Sequence, residues 1–287
     1  MSHIGAKAAP GALPTANGAP VQTVSPLTFD QPSALEFAGV RALFLDRFVA
    51  CWTGPPLETA FDVGTGVGFF AGHLAEHHRL RVTASDVRAS NVEEARRRHP
   101  GVEFFVGDVE DPELVTRGAF DIVTAFGLLY HLENPFRAIR NLAAVTRYAL
   151  VIETVIAPGR GARAWLLDEF EGEDQAPNYV AWHLTEAGIV KLLYRCGMPH
   201  VYRARFRPPH IQFRGGLFHR QARAFVIGSR VQLSPEQFKR ISEPTYRLDR
   251  AYYLRLSGRT LLRPLLEWRQ SGKSPKVATK NSNQRSQ

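Results

Sequence analysis

The segment Phe61-Asp62-Val63-Gly64-Thr65-Gly66-Val67-Gly68-Phe69-Phe70 constrains this chain more than any other. It closes a strand pattern over Leu57–Val63 and opens a helical pattern over Phe69–His77. A chain that leaves a strand and enters a helix this abruptly needs backbone conformations that glycine adopts without penalty, and it leaves main-chain N–H groups open to a ligand. The same alternation recurs downstream. Strand patterns cover Arg81–Asp86, Val102–Val106, Phe120–Phe126 and Tyr148–Ile156, with helical patterns between them. The run over 148–156 is apolar almost throughout, which suits a strand buried on both faces of a parallel sheet. Strands alternating with helices predict βαβ units and an α/β fold.

The remaining elements follow from local signals. Leu35, Ala38, Ala42, Leu45 and Val49 share a helical stripe that begins at Pro32 and ends before Gly54-Pro55-Pro56. Ser90-Asn91-Val92-Glu93 has the form of a capping box, and Asn134-Pro135 pairs an N-cap with a first-turn proline. Phe136, Ile139, Leu142 and Ala143 are expected to face inward from the helix that follows. Thr185 caps a helix stopped by Gly197, and Val201–Phe206 and Ala222–Ile227 are expected to form a final pair of strands. The domain reading is a disordered tail over 1–30, a main domain over 31–230, a helical extension over 231–268 and a disordered basic tail over 269–287. An insert over 158–183, with Trp165, Phe170, Tyr179, Trp182 and His183, reads equally as a lid or as a satellite core.

Three acids close successive strand ends. Asp62 lies two residues before Gly64, Asp86 ends the second strand and Asp108 follows the third. Open α/β sheets bind ligands at these carboxyl ends. Asp62 would repel a pyrophosphate but attract a cation. The glycine spacing is GxGxG, and Phe69 stands where the dinucleotide fingerprint needs its last glycine. An acid about 20 residues beyond the glycine turn can accept hydrogen bonds from ribose hydroxyls. The ligand inferred carries adenosine and positive charge, which disfavours a nicotinamide oxidoreductase.

This set resembles the class I S-adenosylmethionine-dependent methyltransferases. The resemblance implies a Rossmann-like seven-stranded methyltransferase sheet, mostly parallel with one antiparallel strand and with helices on both faces. It implies S-adenosyl-L-methionine as cofactor, held by Asp62, Gly64, Thr65, Gly66, Gly68, Asp86, Asp108, Val109 and Phe126. Phe126-Gly127-Leu128-Leu129-Tyr130-His131 resembles the family segment beside the reactive methyl. His131 is the candidate catalytic residue, as a general base or, the favoured reading, as a hydrogen-bonding residue that shapes the loop. Leu150-Val151-Ile152-Glu153-Thr154, Pro177-Asn178-Tyr179 and the Leu184–Gly197 segment are also similar to transfer RNA wobble-uridine carboxymethyltransferases.

The expected function is methyl transfer to a small-molecule acceptor. RNA modification and a non-catalytic, cofactor-binding partner subunit stand as alternatives. The net charge of +9 raises the RNA reading, with Arg195, Arg203, Arg205, Arg207, Arg214, Arg220 and Arg223 as a phosphate track. Part of the charge excess lies in the tail, at Arg269, Lys273, Lys276, Lys280 and Arg285, where a solvated surface accounts for it. A nucleic-acid partner is therefore not favoured. Two distant cysteines, Cys51 and Cys196, give neither a disulfide framework nor a zinc motif. No metal is expected, no run is long enough for a membrane span, and the chain reads as cytoplasmic.

Overall fold

A computed structural model describes residues 26–159, 161–168, 180–215 and 221–245. The chain divides into a compact unit that ends at Pro244 and a second unit from Thr245, of which only Thr245 is described. After a 3-10 turn at Pro26–Asp30, the elements in order are α1 (Pro32–Ala50), β1 (Thr59–Val63), α2 (Phe69–His78), β2 (Arg81–Asp86), α3 (Ala89–Arg98), β3 (Glu103–Val106) and β4 (Phe120–Phe126). There follow α4 (Pro135–Ala144), β5 (Thr146–Val155), β6 (Ala164–Asp168), β7 (Val180–Leu184), α5 (Glu186–Arg195), β8 (His200–Ala204), α6 (Ile211–Arg214), β9 (Arg223–Ser229) and β10 (Phe238–Arg240).

The main sheet has the order β10-β8-β9-β5-β4-β1-β2-β3. Strands β1 to β5 are parallel, β9 is antiparallel to β5 and to β8, and β10 is antiparallel to β8. This corrects the expected seven strands with one antiparallel member: the sheet has eight, and two of them run against the rest. The eighth, β10, falls where the sequence reads as helix from Ser234. Phe238 is buried against Phe48 and Phe206, while Lys239 and Arg240 are exposed. Pairing with β8 plus one deep aromatic anchor outweighs local helical periodicity in a segment this short. The predicted helix beyond Thr245 and the tail over 269–287 lie outside the described residues. The Pro26–Asp30 turn belongs to the structure, although the sequence reading placed it in the tail.

Two local expectations also change. Helix α3 begins at Ala89 with Arg88 as its N-cap, not through a Ser90 capping box. The Asp86 carboxylate takes the Arg88 N–H and the Asn91 side chain, so the helix starts from the strand-end acid. Phe136 is exposed, while Ile139, Leu142 and Ala143 are buried as expected. Asn134 and Thr185 cap α4 and α5 with their side chains, accepting from Arg137 N–H and Gly188 N–H.

The core forms two layers. Apolar residues of α1, α2 and α3 pack on one face of the sheet, and those of α4 and α5 on the other. Asp121 pins the amino ends of the central strands. Its carboxylate accepts from Glu58 N–H, Thr59 N–H and Thr59 Oγ1, each at 2.9 Å, and from Arg147 Nη1 at 2.6 Å. Helix α1 buries Phe44, Leu45 and Phe48, and the Phe44 ring stacks on Phe225 of β9. Truncating Phe48 to alanine is expected to destabilise the fold by about 3–5 kcal/mol. Urea unfolding monitored by circular dichroism measures this, and a loss under about 1 kcal/mol would show that α1 is not part of the core.

Candidate functional site

The turn between β1 and α2 is built by its glycines. Gly64, Gly66 and Gly68 have φ of +70°, +56° and +88°. Gly64 and Thr65 donate their N–H groups to Ser85 O at 2.8 and 2.9 Å, which ties the turn to β2. A Cβ on Gly66 would meet the Phe29 ring at 2.9 Å, and one on Gly64 would meet Leu128 at 2.7 Å. Side chains are thus excluded twice over, by φ and by space.

The strand-end acids have unequal environments. Asp62 is buried, and its two oxygens accept from Thr65 Oγ1 at 2.6 Å and Thr124 Oγ1 at 2.7 Å. Burial pushes its carboxyl up to about 6, against the pull of these two hydroxyls and of Arg41. Asp86 is buried as well. Its Oδ2 accepts from Gly66 N–H at 2.9 Å, so it steadies the glycine turn directly. Burial raises its carboxyl too, opposed by the N–H groups of Arg88 and Gly66. Asp108 is exposed and accepts from Glu110 N–H at 2.8 Å in a local turn, with Val109 buried beside it.

A cavity of about 270 Å³ opens over the carboxyl ends of the strands. Of the residues expected from the sequence, it brings together Gly64, Thr65, Gly66, Asp86 and Phe126. Asp62, Gly68, Asp108, Val109 and His131 do not line it. Asp62 sits beneath the turn. His131 is buried in a 3-10 turn over Leu129–His131, its N–H bonded to Leu128 O and its ring 4.0 Å from that of Tyr130.

Sequence reasoning missed the opposite wall. Arg41 of α1, Glu153 of β5 and Arg223 of β9 meet there. Arg223 Nε donates to Glu153 Oε1 at 2.5 Å and its Nη2 to Oε2 at 3.3 Å, while Arg41 Nη1 reaches Oε2 at 3.4 Å. Burial of Glu153 works against its ionisation, but the two guanidinium groups outweigh it, Arg223 foremost, and hold its carboxyl below the ordinary range. Tyr130 completes this wall, 3.4 Å from Arg223 Nη2 through its hydroxyl. The one available signal was Glu153 itself: an acid in the middle of a doubly buried strand requires a cation. Phe29 and Asp30 were missed too, because five residues carry no periodicity. Asp30 takes two hydrogen bonds from Arg98 of α3, at 2.6 and 2.7 Å, and so anchors the turn that sets Phe29 over Gly66.

The described part of the insert is a two-stranded hairpin, β6 with β7, which flanks the Leu129–His131 turn. Trp182 Nε1 donates to Glu133 O, Trp165 is exposed, and Phe170 and Tyr179 lie outside the described residues. Three members of the expected arginine track are ion-paired. Arg195 pairs with Glu243, Arg203 with Glu186 and Arg223 with Glu153, while Arg220 lies outside the described residues. A cluster invisible in the sequence also appears on the α1–α2 face. His73 Nε2 and His78 Nε2 both bond to Asp46 Oδ1, at 2.5 and 2.8 Å.

The raised carboxyl of Asp62 sets a pH dependence. Its folded value near 6 exceeds the ordinary 3.8, so the folded state holds this proton more tightly. The resulting stabilisation is full below pH 3.8 and is lost as pH rises to about 6. Relative to Asp62→Asn, wild type is expected to lose roughly 3 kcal/mol across that window. Denaturant unfolding of both proteins between pH 4 and 7 checks this, and a constant difference would rule out the shift.

A family model described as a methyltransferase domain matches residues 60–148. A ubiquinone biosynthesis O-methyltransferase of Coxiella burnetii is 34% identical over 89 residues, which is 30% of this chain and 38% of that protein. Methyltransferase gedG of Aspergillus terreus is 33% identical over 94 residues, covering 31% of this chain and 28% of that one. The chain thus spans 38% of the first of these relatives and 28% of the second. Among solved structures, the N-terminal domain of EvdMO1 with bound SAH superposes with a TM-score of 0.52 at 20% identity, over 67% of this chain and 80% of that one. DesVI of Streptomyces venezuelae superposes with a TM-score of 0.50 at 16% identity, over 73% of this chain and all of that one. These likenesses show the fold, and none of these matches shows the transfer RNA resemblance. Residues 60–148 are thus similar to a methyltransferase domain.

Proposed function

We propose that the protein transfers a methyl group from S-adenosylmethionine to an oxygen nucleophile of a small molecule. The observation that carries this reading is the glycine turn. Gly64 and Gly66, both at positive φ, leave the main chain bare at the cavity floor, where a Cβ would run into Leu128 or Phe29. Asp86 stands at the same floor. The residues fit a ligand with an adenosine and a cationic amino-acid part.

The cofactor supplies an electrophilic methyl on a sulfonium, which leaves as a neutral thioether when the acceptor attacks. The chain's own residues bind and align. Gly64, Thr65 and Gly66 receive the amino-acid part against their main chain. Asp62, beneath them, supplies a negative field for its ammonium. Asp86 accepts from the ribose hydroxyls while it keeps Gly66 N–H in place. By the family resemblance Asp108 and Val109, outside the cavity lining, would flank the adenine edge, and Phe126 walls the methionine part. His131 holds the loop, since it does not line the cavity. Alignment of the nucleophile supplies most of the rate, so no strong base is required. The O-methyltransferase named above supports an oxygen acceptor, and the cavity's size and aromatic walls support a small molecule.

Calorimetric titration with S-adenosylhomocysteine tests the cofactor. A dissociation constant near micromolar, about −8 kcal/mol, is expected. Asp86→Asn should weaken it by about 10–100-fold through loss of charge-assisted hydrogen bonds, and NAD should not bind. A folded wild type that ignores S-adenosylhomocysteine would overturn the reading.

A further inference from the structure

We propose that Asp46, His73 and His78 form a binding site for a divalent transition-metal ion of the zinc class, which joins helix α1 to helix α2. None of the three residues lines the cavity, and the inference is independent of the methyltransferase reading.

The three side chains come from two helices. Asp46 belongs to α1, His73 to the middle of α2, and His78 is the last residue of α2. Arg79, with φ of +58°, ends the helix there. His73 Nε2 and His78 Nε2 lie 2.5 and 2.8 Å from the same oxygen, Asp46 Oδ1. All three ligating atoms fall within 4.8 Å of one another. Among the described residues, no other group of three His, Cys, Asp or Glu side chains brings its atoms together in this way. Around a tetrahedral ion with bonds of about 2.0–2.1 Å, neighbouring ligand atoms stand roughly 3.3 Å apart. To admit an ion, the imidazoles need to draw back from the oxygen by under about 1 Å, which side-chain rotation supplies.

The donor set selects the ion. Two imidazole nitrogens and one carboxylate oxygen suit zinc and its neighbours, whereas magnesium and calcium take oxygen ligands. Without an ion, each Nε2 that faces the carboxylate carries a proton and donates it. With an ion, each neutral imidazole carries that proton on Nδ1 instead and gives its Nε2 lone pair to the metal. The exchange moves protons between ring nitrogens through solvent and changes no net charge on the ligands. The two imidazoles are 14% exposed and held by packing, while the Asp46 side chain is 41% exposed. The carboxylate side therefore gives an ion its entry path, and water its fourth position. The His77 ring stacks on that of His73 at 4.5 Å, which helps fix the ligand's plane. Position gives the ion its role. Helix α1 carries Phe37, Ala38 and Arg41 to the cavity wall, and α2 starts with Phe69 and Phe70 of the same wall. An ion shared by the two helices is bound only when both are in place, so its binding stabilises their packing.

The test uses the full chain, stripped of metal by a chelator, with Zn²⁺ as probe and Mg²⁺ as control. Calorimetry should show a Zn²⁺ site with a dissociation constant of about micromolar or tighter, and no comparable binding of Mg²⁺. Zn²⁺ at about 100 times that constant should raise Tm by about 5–10 °C. Asp46→Asn and His78→Gln should each weaken Zn²⁺ by about 10–100-fold or more and lose the rise in Tm. His77→Ala should stay within a few-fold of wild type. Imidazole ¹⁵N NMR of wild type should show Zn²⁺ shifting Nε2 of His73 and His78, a readout that needs no variant to fold. Unshifted Nε2 resonances, or a Zn²⁺ affinity that neither Asp46→Asn nor His78→Gln changes, would overturn the proposal and leave the cluster a hydrogen-bonded contact between helices. Mg²⁺ binding as tight as Zn²⁺ would overturn it as well.

Discussion

The carboxylate of Glu153 organises the working end of this fold. It is fully buried in β5, where an isolated charge would cost several kcal/mol in lost hydration. Arg41 reaches it from α1 and Arg223 from β9, so one residue ties together a helix and two strands that are distant in sequence. Such a pair adds little net stability, yet loss of one partner strands the other and typically costs about 3–5 kcal/mol. The arrangement is therefore specific more than strong. It fixes where α1 lies over the carboxyl ends of the strands, and α1 in turn supplies Phe37 and Arg41 to the cavity wall.

A second carboxylate does comparable work at the other end. Asp86 holds Gly66 N–H, Arg88 N–H and the Asn91 side chain at once. The glycine turn, the start of α3 and the end of β2 are thus one hydrogen-bonded unit. The same acid faces the cavity, so its ligand-facing role and its structural role are inseparable. That is why the conservative amide, rather than alanine, is the informative replacement at this position. Asp62 differs, since both of its oxygens are already satisfied by hydroxyls and it acts on the cavity only through its field.

The parallel half of the sheet was legible in the sequence because its signals are local. Strand β4 falls at Phe120–Phe126 as read, and β2 at Arg81–Asp86. The caps at Asn134 and Thr185 were legible for the same reason, since a cap involves residues three apart. Strand β10 was not, because three residues have no period and are held by a partner strand and by Phe48. The glycine turn and Asp86 were legible as a motif. The arginine wall was not, since Arg41 reads as one polar position on a helix and Arg223 as one member of a basic stretch. Their meeting depends on β9 pairing antiparallel with β5, which places Arg223 opposite Val155, two residues from Glu153. His131 follows the cavity-lining Phe126 and Gly127 in sequence, but it is buried in the Leu129–His131 turn and does not line the cavity.

Strand order spreads the charged groups of the site along the sheet. Asp62 and Asp86 lie at the ends of β1 and β2, Glu153 and Arg223 on β5 and β9, and β4 lies between them with uncharged Phe126 and Gly127 at its end. The proposed reaction neutralises a sulfonium as its methyl passes to an oxygen nucleophile. Such a transfer depends on alignment of the nucleophile more than on a strong base, and the described cavity lining, which includes Tyr130 but not His131, is suited to alignment.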